Sequence, residues 1–492
     1  MKEVADLRPV IAPCVSLLCA FLIFTTGKNT FLRRLWSISA ATLKFAIVIS
    51  MLPATLKGTV YVWHLMPFTP GIGLDFRVDA LGQFFSLVSS TLWIFTTIYA
   101  IGYMEKEHHK VRFFGFFAIC VSTTVGIAYA SNLFTLFIFY ELLTIATYPL
   151  VIHEETPEAM KAGRKYLIYT LTGGAFILFA IAMTFYLSGT LTLAKPGILS
   201  IKYGTKALSL LFACYIIGFG VKAAIMPLHS WLPSAMVAPT PVTALLHAVA
   251  VVKAGAFGIL RVIYNVFGAS LVAKLGVGTI LAYVAAFTII AASVMAIIQT
   301  NLKKRLAYST VSQLSYIVLG AALLSPAAAT AAIVHIANQA FEKITMFFVA
   351  GSIERTTGKR DISEMVGIGH KMPVTMAAFT IAALGMIGVP LLAGFITKWY
   401  LCLGAMQAHK MIFVFVMLAS SLLNAAYWLP IIYDAYFREP PDGNTEVKEA
   451  KPTLLYPTII CSLYVVALGT LAEVPGLPLS VAREAVRAVL KL

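Results

Sequence analysis

Residues 222–255 read KAAIMPLHSWLPSAMVAPTPVTALLHAVAVVKAG. Lys222 ends an apolar run that contains Gly218 and Gly220, and Pro227 follows it. Because proline removes a backbone donor, we expect the helix to break here. A break at membrane depth frees carbonyl groups and admits water. The stretch therefore predicts a discontinuous membrane helix with a lysine at its break.

The composition indicates a chain that lies in a bilayer. Of its 492 residues, 60% are hydrophobic and 12% are charged, and the mean hydropathy is +0.87. Soluble proteins are roughly a quarter charged. We predict one membrane domain over residues 1–492. The formal net charge of +16 does not indicate nucleic-acid binding, because Lys and Arg lie mostly in short connections, where they set topology.

The apolar runs predict an all-α polytopic membrane protein with about 14 transmembrane helices. Lys and Arg are richer in the connections on one side, so the positive-inside rule places both termini outside. The centres of the runs lie near Leu18, Ile47, Leu92, Val121, Ile138, Leu178, Ile217, Val251, Ile289, Val318, Phe341, Leu384, Phe415 and Val465.

Two segments differ from these runs. The tail over residues 479–492 sets charged side chains against an apolar face, which predicts a short interfacial helix or a partner contact. Its charged residues are Arg483, Glu484, Arg487 and Lys491. Residues 58–79 are too short for a span and predict an extended or hairpin cap at the interface. This segment carries Tyr61, Trp63, Pro67, Pro70, Gly71 and Gly73.

Ionisable residues inside the predicted spans are the main functional signal. A charge at mid-bilayer costs at least about 2.5 kcal/mol on insertion scales. These groups must therefore face one another, a water-filled path or a subunit interface. They are Lys44, Glu141, Lys222, His247, Lys253, His335, Glu342, Lys343, Lys398 and Asp434.

Glu141 lies in the middle of its run without an ionisable neighbour in sequence. It is either a protonated acid bonded to a neighbouring helix or a carboxylate paired with a lysine from another helix. Lys222 is the natural partner, because a buried lysine can lose its proton and a nearby carboxylate favours its charged form. A purely structural Lys222 that ties carbonyl groups together is the alternative.

His247 and Lys253 are six residues apart, which on a regular helix is about 120° from a common face. They cannot stack, but both could border one water path. A lone His in an apolar helix is often a satisfied core residue. Lys398 follows Pro390 and Gly394, so a second lysine lies beside a second predicted break. This parallel suggests two related half-units.

The eleventh predicted span carries a polar stripe. One helix face holds residues at positions i, i+3, i+4 and i+7, the geometry of a hydrogen-bonded relay. These residues are His335, Asn338, Gln339 and Glu342. Lys343 lies near the stripe but points about 100° away from Glu342, so the two need not neutralise each other. Imidazole titrates near neutral pH, which suits a proton relay.

The six cysteines predict neither a metal centre nor a cofactor. None forms a CxxC, and a zinc or iron–sulfur site needs clustered spacing. They are Cys14, Cys19, Cys120, Cys214, Cys402 and Cys461. A catalytic oxidoreductase is therefore disfavoured.

The chain resembles the antiporter-like subunit family. This family includes the large antiporter-like subunits of respiratory complex I, the Mrp sodium/proton antiporters and the ion-pumping arms of membrane-bound hydrogenases. The resemblance covers about residues 79–434. It rests on residues 222–255, on HIANQAFEKITMFFVAGS at 335–352 and on GVPLLAGFITKW at 388–399.

The resemblance implies two inverted five-helix repeats, about 112–268 and 271–437, and a hydrated axis of charged residues. It implies a prokaryotic inner (plasma) membrane protein with no redox centre of its own, which moves protons beside other membrane subunits, with sodium/proton exchange as a further expectation. By motif it assigns the axis to Glu141, Lys222, Lys253, His335 and Lys398, and it adds His229 and His247.

Two features of helix eleven differ from the usual family sequence or indicate the type of subunit. The family often has HxxNHAxFK in helix eleven, whereas this chain has Gln339 in place of the second histidine and Glu342 before Lys343. Gln cannot titrate, so the relay loses one protonatable step and gains another. The FEKITMFF sequence resembles that of D-type Mrp subunits.

A passive scaffold that anchors a redox module is the alternative function, although a scaffold has no use for buried lysines.

Overall fold

The computed structural model describes residues 2–69, 72–440 and 446–490. Each predicted apolar run coincides with a helix or with a broken helix. The N-terminal helices are α1 (Arg8–Thr26), α2 (Thr30–Thr55), α3 (Ala80–Tyr103), α4 (Lys110–Ala128), α5 (Leu133–Val151) and α6 (Pro157–Ser188). The middle of the chain holds α7 (Thr205–Lys222), α8 (Trp231–Ser234), α9 (Thr240–Ala248), α10 (Val251–Arg261), a π-helical turn (Val262–Phe267), α11 (Ala269–Leu275), α12 (Val277–Ile297), α13 (Leu302–Ala322) and α14 (Pro326–Thr357).

The C-terminal part completes the bundle. Its helices are α15 (Ile368–Lys371), α16 (Pro373–Ile387), α17 (Ala393–Gln407), α18 (Ile412–Phe437), α19 (Pro452–Thr470) and α20 (Pro478–Leu490). Short 3-10 turns occur at Met104–Lys106, Ile201–Tyr203, Ala235–Val237 and Ile362–Met365. In the described part of the chain, 11 helices are long and apolar enough to cross a membrane. The predicted all-helical, polytopic membrane fold is confirmed.

The remaining predicted spans are more polar or interrupted. Helix α13 has 21 residues and α14 has 32, but both carry polar side chains. Helices α16 and α17, of 15 residues each, follow one another across a break. Among the 11 apolar spans the most enclosed is Thr240–Phe267, whose apolar window is 100% buried inside the protein. Polar residues thus gather in the helices at the centre, where they are shielded from lipid.

The predicted cap over residues 58–79 is a β-hairpin. Strand β2 (Thr59–Thr69) pairs antiparallel with β3 (Ile72–Val78), and β1 (Lys2–Ala5) adds a parallel third strand that we did not predict. The predicted cap residues Pro70 and Gly71 lie outside the described residues, as do Lys491 and Leu492 of the predicted tail.

The break after Lys222 is present as predicted. Helix α7 ends at Lys222, residues 223–230 are not helical, and α8 begins at Trp231. Ala224 adopts a positive φ of 56°, which is uncommon for a residue other than glycine. The indole Nε1 of Trp231 donates to the Val221 carbonyl over 2.7 Å, so one carbonyl freed at the helix end is satisfied.

The eighth predicted span is also broken, which we did not expect. Helix α9 ends at Ala248 and α10 begins at Val251. Val249 has φ −134° and ψ −51°, and Ala250 has φ −86° and ψ −87°, so neither is helical. The predicted offset of about 120° between His247 and Lys253 assumed a regular helix. It does not apply here, because Val249 and Ala250 interrupt the helix between them.

The second predicted break lies between α16 and α17. Gly388 and Leu391 take positive φ values of 95° and 71°. The tail helix α20 packs against α3 and α14 through an apolar face, so it is held by its own chain. The buried residues of this face are Leu479, Val481, Ala482, Ala485, Val486 and Val489.

Candidate functional site

Most of the predicted site residues are buried side chains at the centre of the helical bundle. Glu141 is half-buried and His229 is partly exposed. Lys398 is 8% exposed. The others are at most 1% exposed: Lys222, His247, Lys253, His335, Asn338, Gln339, Glu342 and Lys343. The helices that carry them are neighbours, since α14 contacts α9, α13 and α17, and α10 contacts α7 and α13.

Lys222 binds a backbone carbonyl rather than a carboxylate. Its Nζ donates to the carbonyl oxygen of Tyr140 over 2.6 Å and lies 3.4 Å from the centroid of the Tyr140 ring. This geometry combines a charge-assisted hydrogen bond with a cation–π contact. It matches the alternative in which Lys222 ties to a carbonyl group.

Glu141 does not form the predicted direct ion pair with Lys222. Within the described residues, no cationic nitrogen lies within 4.0 Å of its carboxylate. One oxygen, Oε1, is buried without a hydrogen bond and lies against Gly174 of α6, where an added Cβ would be 2.3 Å away. The reason is local: the Tyr140 side chain faces Lys222 of α7, and the next side chain, that of Glu141, points about 100° further around α5, toward Gly174 of α6.

His247 and Lys253 lie on either side of the break between α9 and α10. The two ring nitrogens of His247 and the Nζ of Lys253 make no hydrogen bond with the described protein groups. The His247 ring packs on Phe347, with centroids 4.8 Å apart. Since buried polar groups are normally satisfied by protein or by ordered water, these atoms are suited to contact water along a path.

His335 is held between two helices by two hydrogen bonds. Its Nε2 lies 3.1 Å from the Gln313 carbonyl of α13, and its Nδ1 lies 3.1 Å from Thr397 Oγ1 of α17. A carbonyl can only accept, so Nε2 carries a hydrogen. Asn338 donates to the same Thr397 hydroxyl over 3.1 Å and to the Ala393 carbonyl over 2.8 Å. His335 and Asn338 thus face α17 together, as the predicted stripe requires.

Glu342 and Lys343 point in different directions, as predicted. Lys343 Nζ donates to Ser309 Oγ over 2.7 Å and to the Leu306 carbonyl over 3.3 Å, both on α13. Glu342 faces the broken segment instead: an added Cβ would lie 2.9 Å from its Oε1 at Gly385 and 2.8 Å at Gly394. Neither Glu342 oxygen forms a hydrogen bond with the described groups.

Lys398 repeats the arrangement of Lys222 at the second break. Its Nζ donates to the Ile387 carbonyl over 2.6 Å and to Ser421 Oγ over 2.8 Å. At each break a lysine therefore binds a main-chain carbonyl, and a glutamate lies against glycine backbone close by. This glutamate is Glu141 of α5 at the first break and Glu342 of α14 at the second.

His229 lies beside an open cavity of about 910 Å³. The neighbouring Ser230 and Tyr308 line this cavity, and the His229 ring lies 6.0 Å from the Tyr308 ring. Charged side chains line the rim. Among them, burial raises the pKa of Glu154, and the charge of Glu107 adds to this rise. Behind the rim, burial lowers the pKa of His153 to about 4, helped by Arg112.

Three features were missed or underrated in the sequence. Lys44 is completely buried and lies 3.8 Å above the Trp93 ring, without a hydrogen bond to the described groups. Arg261, 2% exposed, donates to both carboxylate oxygens of Asp79 over 2.5 and 2.8 Å. An arginine inside the apolar run GILRVIY was a visible signal of a buried ion pair. Thr397 bears no charge, and nothing in the sequence marked it.

A family profile described as "NADH:quinone oxidoreductase/Mrp antiporter, TM" matches residues 130–424. A second, described as "NADH-Ubiquinone oxidoreductase (complex I), chain 5 N-terminus", matches residues 68–114. The first match spans the helices that carry the buried axis from Glu141 to Lys398, and the second ends within α4.

Curated relatives point to the same family. The NADH-quinone oxidoreductase subunit N of Desulforudis audaxviator is 31% identical over 441 residues, covering 86% of this chain and 87% of that protein. A probable K(+)/H(+) antiporter subunit of Rhizobium meliloti is 31% identical over 81% of this chain, which spans only 40% of that protein. A Na(+)/H(+) antiporter subunit A1 of Staphylococcus aureus (strain JH9) is 32% identical over 72% of this chain, which spans 46% of that protein.

Two solved structures share the fold. One chain of the archaeal membrane-bound sulfane sulfur reductase superposes with a TM-score of 0.89 at 23% identity, covering 99% of this chain and 98% of that one. A chain of the Mrp complex from Dietzia sp. DQ12-45-1b superposes with a TM-score of 0.88 at 21% identity, covering 99% of this chain and 98% of that one. With the profile match across more than half of its residues, this chain belongs to the NADH:quinone oxidoreductase/Mrp antiporter transmembrane family.

Proposed function

We propose that this chain carries protons across the membrane along its buried lysines, histidines and glutamates, as one subunit of a larger ion-translocating complex. One observation carries the proposal: titratable side chains lie fully buried in adjoining helices, and several of them have hydrogen-bonding capacity that the protein leaves open. Intramembrane ionisable groups are costly and mark ion pathways. The family membership supports the same function.

The contacts suggest an order for the path. Lys222 and Glu141 form the first group, His247 and Lys253 the centre, and the residues of α14 and α17 the second half. Lys222 and Lys398 are each held by a backbone carbonyl at 2.6 Å, so their positions do not depend on the glutamates. Glu141 and Glu342 can then act on the lysines through charge alone, favouring the ammonium form when they approach.

We favour protons over sodium as the ion that moves along this path. Ammonium and imidazole nitrogens bind protons, whereas sodium in transporters is coordinated by oxygens of unwound backbone and side chains. Exchange of sodium or potassium for protons is the activity named for two relatives. Whether this chain also exchanges sodium for protons is tested by a sodium-dependent transport assay.

Finer features of the assembly belong to the same proposal. We infer two repeats, about 112–268 and 271–437, because a lysine bound to a carbonyl accompanies a broken helix in each. We expect other membrane subunits as partners, in an Mrp-, hydrogenase- or complex I-like assembly in a prokaryotic plasma membrane, with both termini outside. The names of the three curated relatives carry no D designation, so the D-type character of FEKITMFF stays a prediction.

The test is proton pumping by the assembled complex in inverted membrane vesicles. Lys222→Ala, Lys398→Ala and Glu141→Gln should each reduce the rate at least about tenfold, since each interrupts a path through groups that cannot be bypassed cheaply. Lys274→Ala, which changes an exposed lysine of α11, is the control. Copurification of the other subunits checks assembly. Normal pumping by the Lys222→Ala and Lys398→Ala variants would instead favour a passive scaffold.

A further inference from the structure

A group of metal-ligating side chains lies at the rim of the cavity, away from the buried axis. Glu107 and His108 belong to the connection between α3 and α4, and Glu154 belongs to that between α5 and α6. One ligand atom from each of the three lies within 4.8 Å of the others. Glu107 and Glu154 also line the cavity, so the group is reached from solvent.

His108 is oriented as metal-bound histidines are. Its Nε2 lies 3.0 Å from the carbonyl oxygen of His153. The carbonyl can only accept, so Nε2 carries the hydrogen, and Nδ1 of the neutral ring holds the lone pair. This Nδ1 lies 3.6 Å from Glu107 Oε2. Metal-ligating histidines almost always donate their other N–H to a carbonyl or a carboxylate, which fixes the tautomer.

His153 provides an independent observation beside this group. Its side chain is 0% exposed, and both ring nitrogens lack a hydrogen bond to the described residues. Its ring stacks on that of His108, with centroids 4.8 Å apart. Buried polar side chains nearly always have a partner. A second imidazole with open ligand capacity therefore adjoins the three candidate ligands.

We propose that Glu107, His108 and Glu154 bind a divalent first-row transition-metal ion, for which Zn²⁺ serves as the representative. Two carboxylates and one imidazole suit such an ion, and the cavity leaves a fourth position to water. Bonds of about 2.1 Å in a tetrahedral site separate ligand atoms by roughly 3.4 Å. The ligand atoms lie within 4.8 Å of one another, so they need to close by at most about 1.4 Å. The bound ion ties the α3–α4 connection to the α5–α6 connection.

Arg355 competes with the ion for one of its ligands. The guanidinium of Arg355 donates to Glu107 Oε1. Glu154 forms no ion pair within 4.0 Å among the described residues, so it is free to bind. The ion would therefore bind the unpaired carboxylate of Glu154 and would displace Arg355 from the carboxylate of Glu107.

The test is Zn²⁺ binding to the purified full-length chain in detergent, followed by titration calorimetry and zinc X-ray absorption. We expect one site with nitrogen and oxygen ligands that include an imidazole. His108→Ala and Glu154→Gln should each weaken binding at least about tenfold. His370→Ala, which removes an exposed histidine of α15, should bind like the wild type. Unchanged affinity in His108→Ala and Glu154→Gln, or sulfur ligands in the spectrum, would overturn the proposal.

Arg355→Gln separates loss of a ligand from general damage. Removing the competing cation should tighten Zn²⁺ binding several-fold, whereas a distorted rim would weaken it. Unchanged or weaker binding in Arg355→Gln would overturn the three-residue site. Because these measurements record binding and not transport, their outcome is independent of the proposed proton pathway.

Discussion

The Lys222 ammonium is anchored to the main chain of Tyr140, through a hydrogen bond of 2.6 Å to the carbonyl oxygen and a position 3.4 Å from the ring centroid. The backbone of α5 therefore holds the lysine in place. Glu141, the next residue, is directed toward Gly174. We therefore expect position and charge to be controlled separately here: α5 sets where Lys222 lies, and the carboxylate of Glu141 biases its protonation.

This separation predicts that Lys222→Arg fails as a proton carrier. Arginine preserves a positive charge and donors for the Tyr140 carbonyl, but it does not give up its proton. We expect proton pumping by the assembled complex to fall at least about tenfold, as in Lys222→Ala, while the complex still assembles. Vesicle acidification measured with a pH-sensitive dye reports the rate.

The matched control is Lys274→Arg on α11, an exposed position. If Lys222→Arg pumped at the normal rate, Lys222 would be a static cation and the alternative of a structural lysine would hold.

The glycine beside Glu141 gives a second prediction. A Cβ at Gly174 would lie 2.3 Å from Glu141 Oε1, which is too close for any real contact, so Gly174→Ala must displace the carboxylate. We expect slower pumping with intact assembly, because the charge acting on Lys222 is moved. Gly220→Ala is the control, since its nearest new contact is an ordinary 3.4 Å. Equal rates in the two variants would show that the position of Glu141 does not matter.

Hydropathy and helix breakers were sufficient to predict most of the fold. The spans follow from the apolar runs, because every backbone polar group in lipid must be satisfied within a helix. The break after Lys222 was predicted from Pro227 and its neighbouring glycines. The break between His247 and Lys253 was not, because Val249 and Ala250 are ordinary helical residues by type. Their conformation is set by packing in the most enclosed of the 11 apolar spans.

The site was predictable as a set of residues but not as a set of contacts. Burial cost alone identifies the charged residues. Which atom a lysine binds depends on how two helices are rotated about their axes, and a single sequence does not contain that information. For this reason the predicted direct ion pair between Glu141 and Lys222 is not formed. The divergence of Glu342 and Lys343 was predicted correctly, because it depends only on the geometry of one helix.

Thr397 connects two polar residues of α14, which gives the third prediction. Its hydroxyl lies 3.1 Å from both His335 Nδ1 and Asn338 Nδ2. Thr397→Val keeps the shape and removes the hydroxyl. His335 Nδ1 is then left unpaired at a cost of about 1–3 kcal/mol, and Asn338 keeps only its hydrogen bond to the Ala393 carbonyl. We expect lower thermal stability and slower pumping. Thr380→Val is the control, because that hydroxyl donates to the Met376 carbonyl of its own helix. If Thr397→Val pumped at the normal rate, the orientation of His335 would not matter for proton pumping.

The ion pair between Arg261 and Asp79 predicts a large effect on stability. Arg261 is 2% exposed and Asp79 15%, and the carboxylate also accepts from the Gly82 amide over 2.8 Å, as the N-cap of α3. Asn is as good an N-cap as Asp, so Asp79→Asn isolates the charge. Leaving Arg261 buried and unpaired should cost about 3–5 kcal/mol of unfolding free energy. Asp6→Asn, which breaks the more exposed pair with Arg8, should cost no more than about 1 kcal/mol.

The same pair makes the stability of the protein depend on pH. Burial would raise the pKa of Asp79, but the charge and hydrogen bonds of Arg261 outweigh it and lower that pKa below its usual range. A carboxyl group with a lowered folded-state pKa contributes its full stability above the unfolded value of about 3.9 and loses it as pH falls through the folded value. Thermal unfolding in detergent should therefore show a wild-type advantage over Asp79→Asn that is constant near neutral pH and shrinks in acid below about pH 4. An advantage that stayed the same across this range would show that the charge of Asp79 does not stabilise the fold.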